Sequence, residues 1–156
     1  DSMIDTCIDI LKTAKKNNVK IHLPSDVICA IDFDNNSTSK AFEIMNIDDN
    51  FQGMDAGPNT LKSFKNVILR SKTILWNGPV GVFEFSNFSN GTKQLGKHIS
   101  DSTEKGAFSL VGGGDSVAAV KAFGIQNKMS YVSTGGGAML ESLEGKTLPG
   151  INALLS

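Results

Sequence analysis

Six of the sixteen glycines in this 156-residue chain fall in two triplets, Gly112 to Gly114 and Gly135 to Gly137, which begin 23 residues apart. A glycine run between a strand and a helix lets backbone N–H groups close on an anion with no Cβ in the way, and the positive end of the helix dipole adds to the attraction. Two such runs on neighbouring strands make an edge suited to phosphate groups. The plainer reading, that glycines serve tight turns and close packing, loses weight when the pattern occurs twice. Asp115 follows the first triplet directly. At a helix start it is either an N-cap or a carboxylate for Mg²⁺ riding on nucleotide phosphates, since Mg²⁺ sites commonly use one or two carboxylates with phosphate and water. Glu84 is either an exposed loop acid or an acceptor for ribose hydroxyls. Trp76, Phe83 and Phe123 read as core residues, and His22 and His98 have no partner at an interpretable spacing and read as non-catalytic.

Common nucleotide motifs fail when tested against these glycines. A dinucleotide fingerprint needs Gly-x-Gly-x-x-Gly or Ala, yet the two triplets lead to Val117 and Leu140 at the last position. Gly145-Lys146-Thr147 echoes a P-loop but has Leu140 where the first glycine belongs and runs into Leu148-Pro149. Gly91 to Gly96-Lys97 has the P-loop spacing, with His98 in place of Ser or Thr.

Composition narrows the field. Fifteen basic against sixteen acidic residues give a formal charge of −1, which lacks the footprint of a general nucleic-acid binder. No run approaches the ~20 apolar residues of a membrane span, and no signal peptide is visible. Cys7 and Cys29 stand apart with no CxxC, so neither a zinc site nor a disulfide framework is written here, and a reducing cytoplasmic location is expected. Arg70 is the single arginine, leaving few bidentate clamps for a multiply anionic substrate.

The elements that must position these residues follow from periodicity. Ile4, Cys7, Ile8, Leu11 and Ala14 trace one apolar helix face, with Ser2 as a cap. Val19, Ile21 and Leu23 alternate as a short strand, Val27 to Asp32 forms a second extended piece, 34 to 39 is a polar loop, and Lys40 to Asn46 reads as a short helix. Asn59 caps a helix ending near Ser71, and strand Thr73 to Trp76 runs into Asn77-Gly78-Pro79. A loop over 84 to 92 leads to a weaker helix over 92 to 104. Two repeats of one design close the chain: strand Ala107 to Val111, triplet, helix Asp115 to Phe123, then strand Ser130 to Ser133, triplet, helix Ala138 to Leu143. This alternation predicts an α/β fold with a parallel sheet, whose ligands bind outside the carboxyl ends of the strands.

Taken together, Gly53-Met54-Asp55-Ala56-Gly57-Pro58, Trp76-Asn77-Gly78-Pro79-Val80-Gly81-Val82-Phe83-Glu84, Gly112-Gly113-Gly114-Asp115-Ser116 and Ser133-Thr134-Gly135-Gly136-Gly137-Ala138, with Leu143-Glu144-Gly145-Lys146 and Leu148-Pro149-Gly150, form a pattern. In order and spacing it closely resembles the C-terminal, nucleotide-binding half of the phosphoglycerate kinases, from residue 1 to about 155. Met54 and Ser116 stand where the commonest pattern has Leu and Thr.

The resemblance implies a glycolytic kinase that exchanges a phosphoryl group between 1,3-bisphosphoglycerate and ADP with Mg²⁺. By position, Gly53 and Met54 would line the adenine pocket, Asn77 and Pro79 would lie beside the nucleotide, and Glu84 would bind the ribose. Gly112, Gly113 and Gly114 would border the phosphates, Asp115 would ligate the metal, and Ser116 would reach a phosphate. Gly135, Gly136 and Gly137 would offer backbone donors to the moving phosphoryl group. The implied fold is a three-layer, Rossmann-like parallel sheet with helices on both faces, of which this chain would supply four of six strands. Residues 1–156 would then be the nucleotide domain without its first strands, with the phosphoglycerate-binding N-terminal domain absent. ADP or ATP is the expected partner, with 3-phosphoglycerate or 1,3-bisphosphoglycerate reached through the absent domain, no nucleic acid, no membrane, and a monomeric full-length protein. Two other readings stay open for the chain alone: a non-catalytic nucleotide-binding module, and a truncated fragment without activity.

Overall fold

The computed structural model describes residues 3–155. Helix α1 spans Ile4–Lys16. Strands β1 (Asp26–Ala30), β2 (Ser39–Glu43) and β3 (Gln52–Ala56) follow, then α2 (Pro58–Ile68), β4 (Thr73–Asn77), α3 (Asn90–Glu104), β5 (Phe108–Gly112), α4 (Gly114–Ala122), β6 (Tyr131–Val132), α5 (Gly136–Leu143) and α6 (Pro149–Leu155). The strands form two sheets: an antiparallel one in the order β2-β1-β3 and a parallel one in the order β4-β5-β6.

The parallel sheet realises the α/β expectation, with three strands rather than four. Leu75, Leu110 and Tyr131 share one rung, and Asn77 and Gly112 share the last one, so the strands end level where the first triplet begins. One face of this sheet carries the main core. Trp76 and Val111 pack there with Leu95 and Ile99 of α3 and Val120 of α4, each buried aliphatic side chain contributing about 1.5–3 kcal/mol. On the other face α5 brings Met139 over Gly112, into the space a side chain at 112 would need.

Two expected elements are corrected. Val19 to Leu23 forms no strand: β4 pairs only with β5 among the described residues, and Val19 and Leu23 are exposed by 59% and 69%. Alternation gives a segment one apolar face, but a strand also needs neighbouring backbone to take its N–H and C=O groups. Lys40 to Asn46 is not a helix. Lys40 and Phe42 pair with Cys29 and Val27 in β2, and Phe42 is buried edgewise on Phe51 at 4.9 Å. The polar loop before it is the turn of a hairpin, tightened by Asn36 N donating to Asp34 Oδ1 at 2.7 Å, and cross-strand pairing outweighs local helix propensity. Val27 to Asp32 is extended as expected but ends at Ala30 and lies in the antiparallel sheet. Ser2 lies outside the described residues.

Helices α2 and α3 are capped from a distance. At α2 the cap position is Gly57, not Asn59, and the capping carboxylate belongs to Asp26 of β1. Asp26 accepts from Asn59 N at 2.9 Å, Thr60 N at 2.7 Å and Thr60 Oγ1 at 2.7 Å. Any Cβ on Gly57 would fall within 2.6 Å of its oxygens. Burial pushes the Asp26 pKa up, but these hydrogen bonds outweigh it and hold the carboxyl below its ordinary value. Asp55 of β3 plays the same part for α3, accepting from Gly91 N at 2.8 Å and Ala56 N at 2.9 Å. Here burial wins, and the Asp55 pKa is raised.

Candidate functional site

Both glycine triplets lie at carboxyl ends of parallel strands, and their last residues are already helical. Gly114 opens α4, and Gly136 and Gly137 open α5, so each helix begins a residue or two earlier than its spacing suggests. The first three N–H groups of a helix have no intrahelical acceptor. In α4 these belong to Gly114, Asp115 and Ser116, and in α5 to Gly136, Gly137 and Ala138. Neither helix has a side-chain cap.

The triplets touch. A Cβ on Gly136 would sit 2.9 Å from Gly113 N and 3.0 Å from Gly113 Cα, so the two backbones meet with no room for a methyl group. Gly113 has φ +84°, a conformation that favours glycine, and Asn77 Oδ1 occupies the space its side chain would take. Between the triplets is a cavity of about 180 Å³ lined by Gly113, Gly114, Gly136, Ser133, Thr134 and Lys121, with Val117. Lys121 escaped the sequence reading, yet its spacing from Gly114 and Val117 is i, i+3, i+7 on one helix face.

The segment after β4 joins this edge to a second cavity. Ser116, fully buried, accepts a hydrogen bond from Gly78 N at 2.6 Å, which ties the Asn77-Gly78 turn to α4. The hydroxyl expected to reach a phosphate thus already holds the loop, with its own hydrogen left to donate. Trp76 Nε1 donates to Gly78 O at 2.8 Å from the other side. Pro79 then lines a cavity of about 480 Å³ together with Gly53, Met54, Val27, Gly81 and Val82. Met54 is 1% exposed, whereas Gly53 is open on β3.

Asp115 is exposed in the first turn of α4, and its carboxylate has no hydrogen bond among the described residues, so it is not acting as a cap. Among the described residues no three His, Cys, Asp or Glu side chains cluster to hold a metal by themselves. A cation here would draw its remaining ligands from a phosphate and water. Glu84 is exposed in the turn just after Val82 and does not line either cavity. Trp76 is in the core as expected, whereas Phe83 and Phe123 are half-buried outside it and pack edge to face at 6.4 Å. Asp26 and Asp55, which hold the walls of the larger cavity, were missed because their partners are more than thirty residues away in the chain.

Comparison with known proteins agrees with this geometry. The sequence model of the phosphoglycerate kinase family matches residues 1–146. A phosphoglycerate kinase of Porphyromonas gingivalis is 54% identical over 154 residues, covering 99% of this chain and 37% of that relative. A cytosolic phosphoglycerate kinase of Triticum aestivum is 45% identical over 154 residues, covering 99% of this chain and 38% of that relative. Phosphoglycerate kinase from Coxiella burnetii superposes with a TM-score of 0.88 at 40% identity, over 94% of this chain and 37% of that one. The chain therefore spans less than two fifths of the length of these relatives. With paired glycine triplets on a parallel sheet, a matching family sequence and a shared fold, this chain belongs to the phosphoglycerate kinase family.

Proposed function

We propose that the chain is the Mg²⁺–ADP/ATP-binding part of a phosphoglycerate kinase, a phosphotransferase of glycolysis. The reaction transfers the phosphoryl group of 1,3-bisphosphoglycerate to ADP. The bond from phosphorus to the acyl oxygen breaks, a bond to a terminal oxygen of ADP forms, and the leaving carboxylate keeps the electron pair. Such a transfer relies on positioning and on stabilising charge rather than on covalent help from the protein. The observation that carries the reading is the contact between the triplets at Gly113 and Gly136. It brings the uncapped starts of α4 and α5, at Gly114 and Gly136, to one small cavity.

In this reading the base lies against Gly53, Met54 and Pro79, and Asn77 and the first triplet flank the nucleotide phosphates. Glu84 binds the ribose, which requires the turn after Val82 to close over the larger cavity. N–H groups of Gly136 and Gly137 face the phosphoryl oxygens, where charge is greatest during transfer, and Lys121 adds a positive charge at the cavity wall. Ser116, fully buried and lining neither cavity, keeps the Asn77-Gly78 turn in place. Asp115 would hold Mg²⁺, which supplies neutralisation of the phosphate charge when bound. Its exposed, unpaired carboxylate supports that role.

The phosphoglycerate site belongs to the part of the relatives' length that this chain does not span, in keeping with its single arginine. Taken alone, the chain would bind nucleotide without turnover. The intact enzyme is proposed to be a cytoplasmic monomer. No described helix is long and apolar enough to cross a membrane, and relatives include cytosolic and chloroplastic enzymes. A coupled assay tests the proposal: the intact protein forms ATP from ADP and 1,3-bisphosphoglycerate, whereas the 156-residue chain does not. Turnover by the chain alone, or none by the intact protein, overturns it.

A further inference from the structure

A third cavity, of about 300 Å³, opens between α2 and α3, and neither a triplet residue nor Asn77, Pro79 or Glu84 lines it. Its size is at the lower end for small-molecule sites. Ile28, Ala56 and Leu61 give it an apolar floor, and polar groups rise on both sides. From α3 come Asn90, Gln94 and His98, a stripe at i, i+4, i+8. From α2 come Lys62 and Lys65. Gln94 Nε2 donates to Asn90 Oδ1 at 3.2 Å. Neither lysine has a carboxylate within ion-pair distance among the described residues.

His98 is 9% exposed, and its Nδ1 is buried with no hydrogen-bond partner among the described residues. Buried polar atoms are nearly always paired, and leaving one unpaired costs free energy. A cavity edged by two ammonium groups without carboxylate partners among the described residues, beside a histidine, matches a ligand of negative charge. We propose that the α2–α3 cleft binds a small anion, a phosphate or carboxylate group, between Lys62, Lys65 and His98, with any short apolar stem resting on Ile28, Ala56 and Leu61.

Burial, followed by Lys65, holds the His98 pKa below its ordinary value, with Lys97 acting in the same sense and Asp101 opposing them. Lys97 is already paired with Asp101 at 2.9 Å, so Lys65 and Lys62 are the cations left facing the cleft. A bound anion offsets Lys65 and makes a second proton on the ring less costly. Binding therefore tightens as pH falls, and binding raises the His98 pKa.

The test is a titration of the intact protein with inorganic phosphate, followed by the ¹³Cε1–¹H signal of His98, assigned by its loss in His98→Gln. Chloride at matched ionic strength is the control, and butyrate is a second probe. The expected result is a saturable shift with phosphate or butyrate but not chloride, weakened about tenfold or more in the Lys62→Ala/Lys65→Ala variant, because charge-assisted bonds are the strong ones. A tighter response to butyrate means that the apolar floor is used; a tighter response to phosphate means that the charged head suffices. No saturable shift with either probe, an equal shift with chloride, or an undiminished shift without the lysines overturns the proposal. None of the residues placed around the nucleotide lines this cleft, so failure here leaves the nucleotide reading intact.

Discussion

Replacing Gly136 with alanine adds a single methyl group where the triplets meet. Its carbon would lie 2.9 Å from Gly113 N and 3.0 Å from Gly113 Cα. Both are backbone atoms and cannot rotate away, so the helix starts must separate by about half an ångström to reach ordinary van der Waals contact. Gly136 is not among the residues with positive φ, so alanine meets no conformational barrier there. At the first helical position it gains at most about 1 kcal/mol over glycine. Stability should change little, because these two effects oppose each other. Catalysis should suffer more. A misplacement of ~1 Å can cost ~10²-fold in rate, so half that displacement corresponds to about tenfold in turnover. The adenine end, at Gly53, Met54 and Pro79, lies in the other cavity. Nucleotide affinity should therefore fall less than turnover. The assay is coupled turnover of the intact Gly136→Ala protein beside calorimetric ADP affinity and a thermal melt. A folded variant with wild-type turnover, or one whose whole loss lies in nucleotide affinity, would refute the reasoning.

Three further outcomes follow from the same geometry. Asp115→Ala should weaken Mg²⁺–ADP binding strongly and metal-free ADP binding little, as read by calorimetry with and without Mg²⁺; equal loss in both would remove the metal role. Asp26→Ala strips three hydrogen bonds from the start of α2, and urea unfolding should show a loss of ~2–3 kcal/mol; a loss below about 0.5 kcal/mol would mean that the helix is capped by other means. His98 has a folded pKa below its ordinary 6.5, through burial first and then Lys65. The unfolded chain then takes up the proton first, so the stability contribution is full above pH 6.5 and is lost as pH falls through the folded value. His98→Gln should flatten that decline between about pH 7.5 and 5, and an unchanged slope would show that other groups cause it.

The parts of the fold legible in the sequence are those built from neighbours in the chain. Strand, triplet and helix follow one another within about fifteen residues at β5–α4 and again at β6–α5, so periodicity and glycine spacing locate them to within two residues. The hairpin of β1 and β2 was half legible. Its turn residues stand out in 34–39, but Lys40 to Asn46 takes its form from pairing with β1, which local propensity does not carry. The carboxylates Asp26 and Asp55 were illegible as caps because the N–H groups they serve lie 33 to 36 residues away. At the proposed site, residue type and family resemblance single out the triplets, Asn77, Pro79, Gly53 and Met54. Gly53, Met54 and Pro79 line one cavity and Gly113, Gly114 and Gly136 the other, and the Asn77-Gly78 turn between them depends on the sheet register, which places Asn77 opposite Gly112. Lys121 was legible in principle, since it follows Gly114 by two helical turns.

If one nucleotide spans both cavities, a crystal structure of the intact protein with Mg²⁺ and ADP will show it there. The base is expected against Gly53, Met54 and Pro79, the phosphates beside Gly113 and Gly136, and Mg²⁺ on Asp115. ADP found elsewhere, or with its phosphates turned away from both triplets, would contradict it.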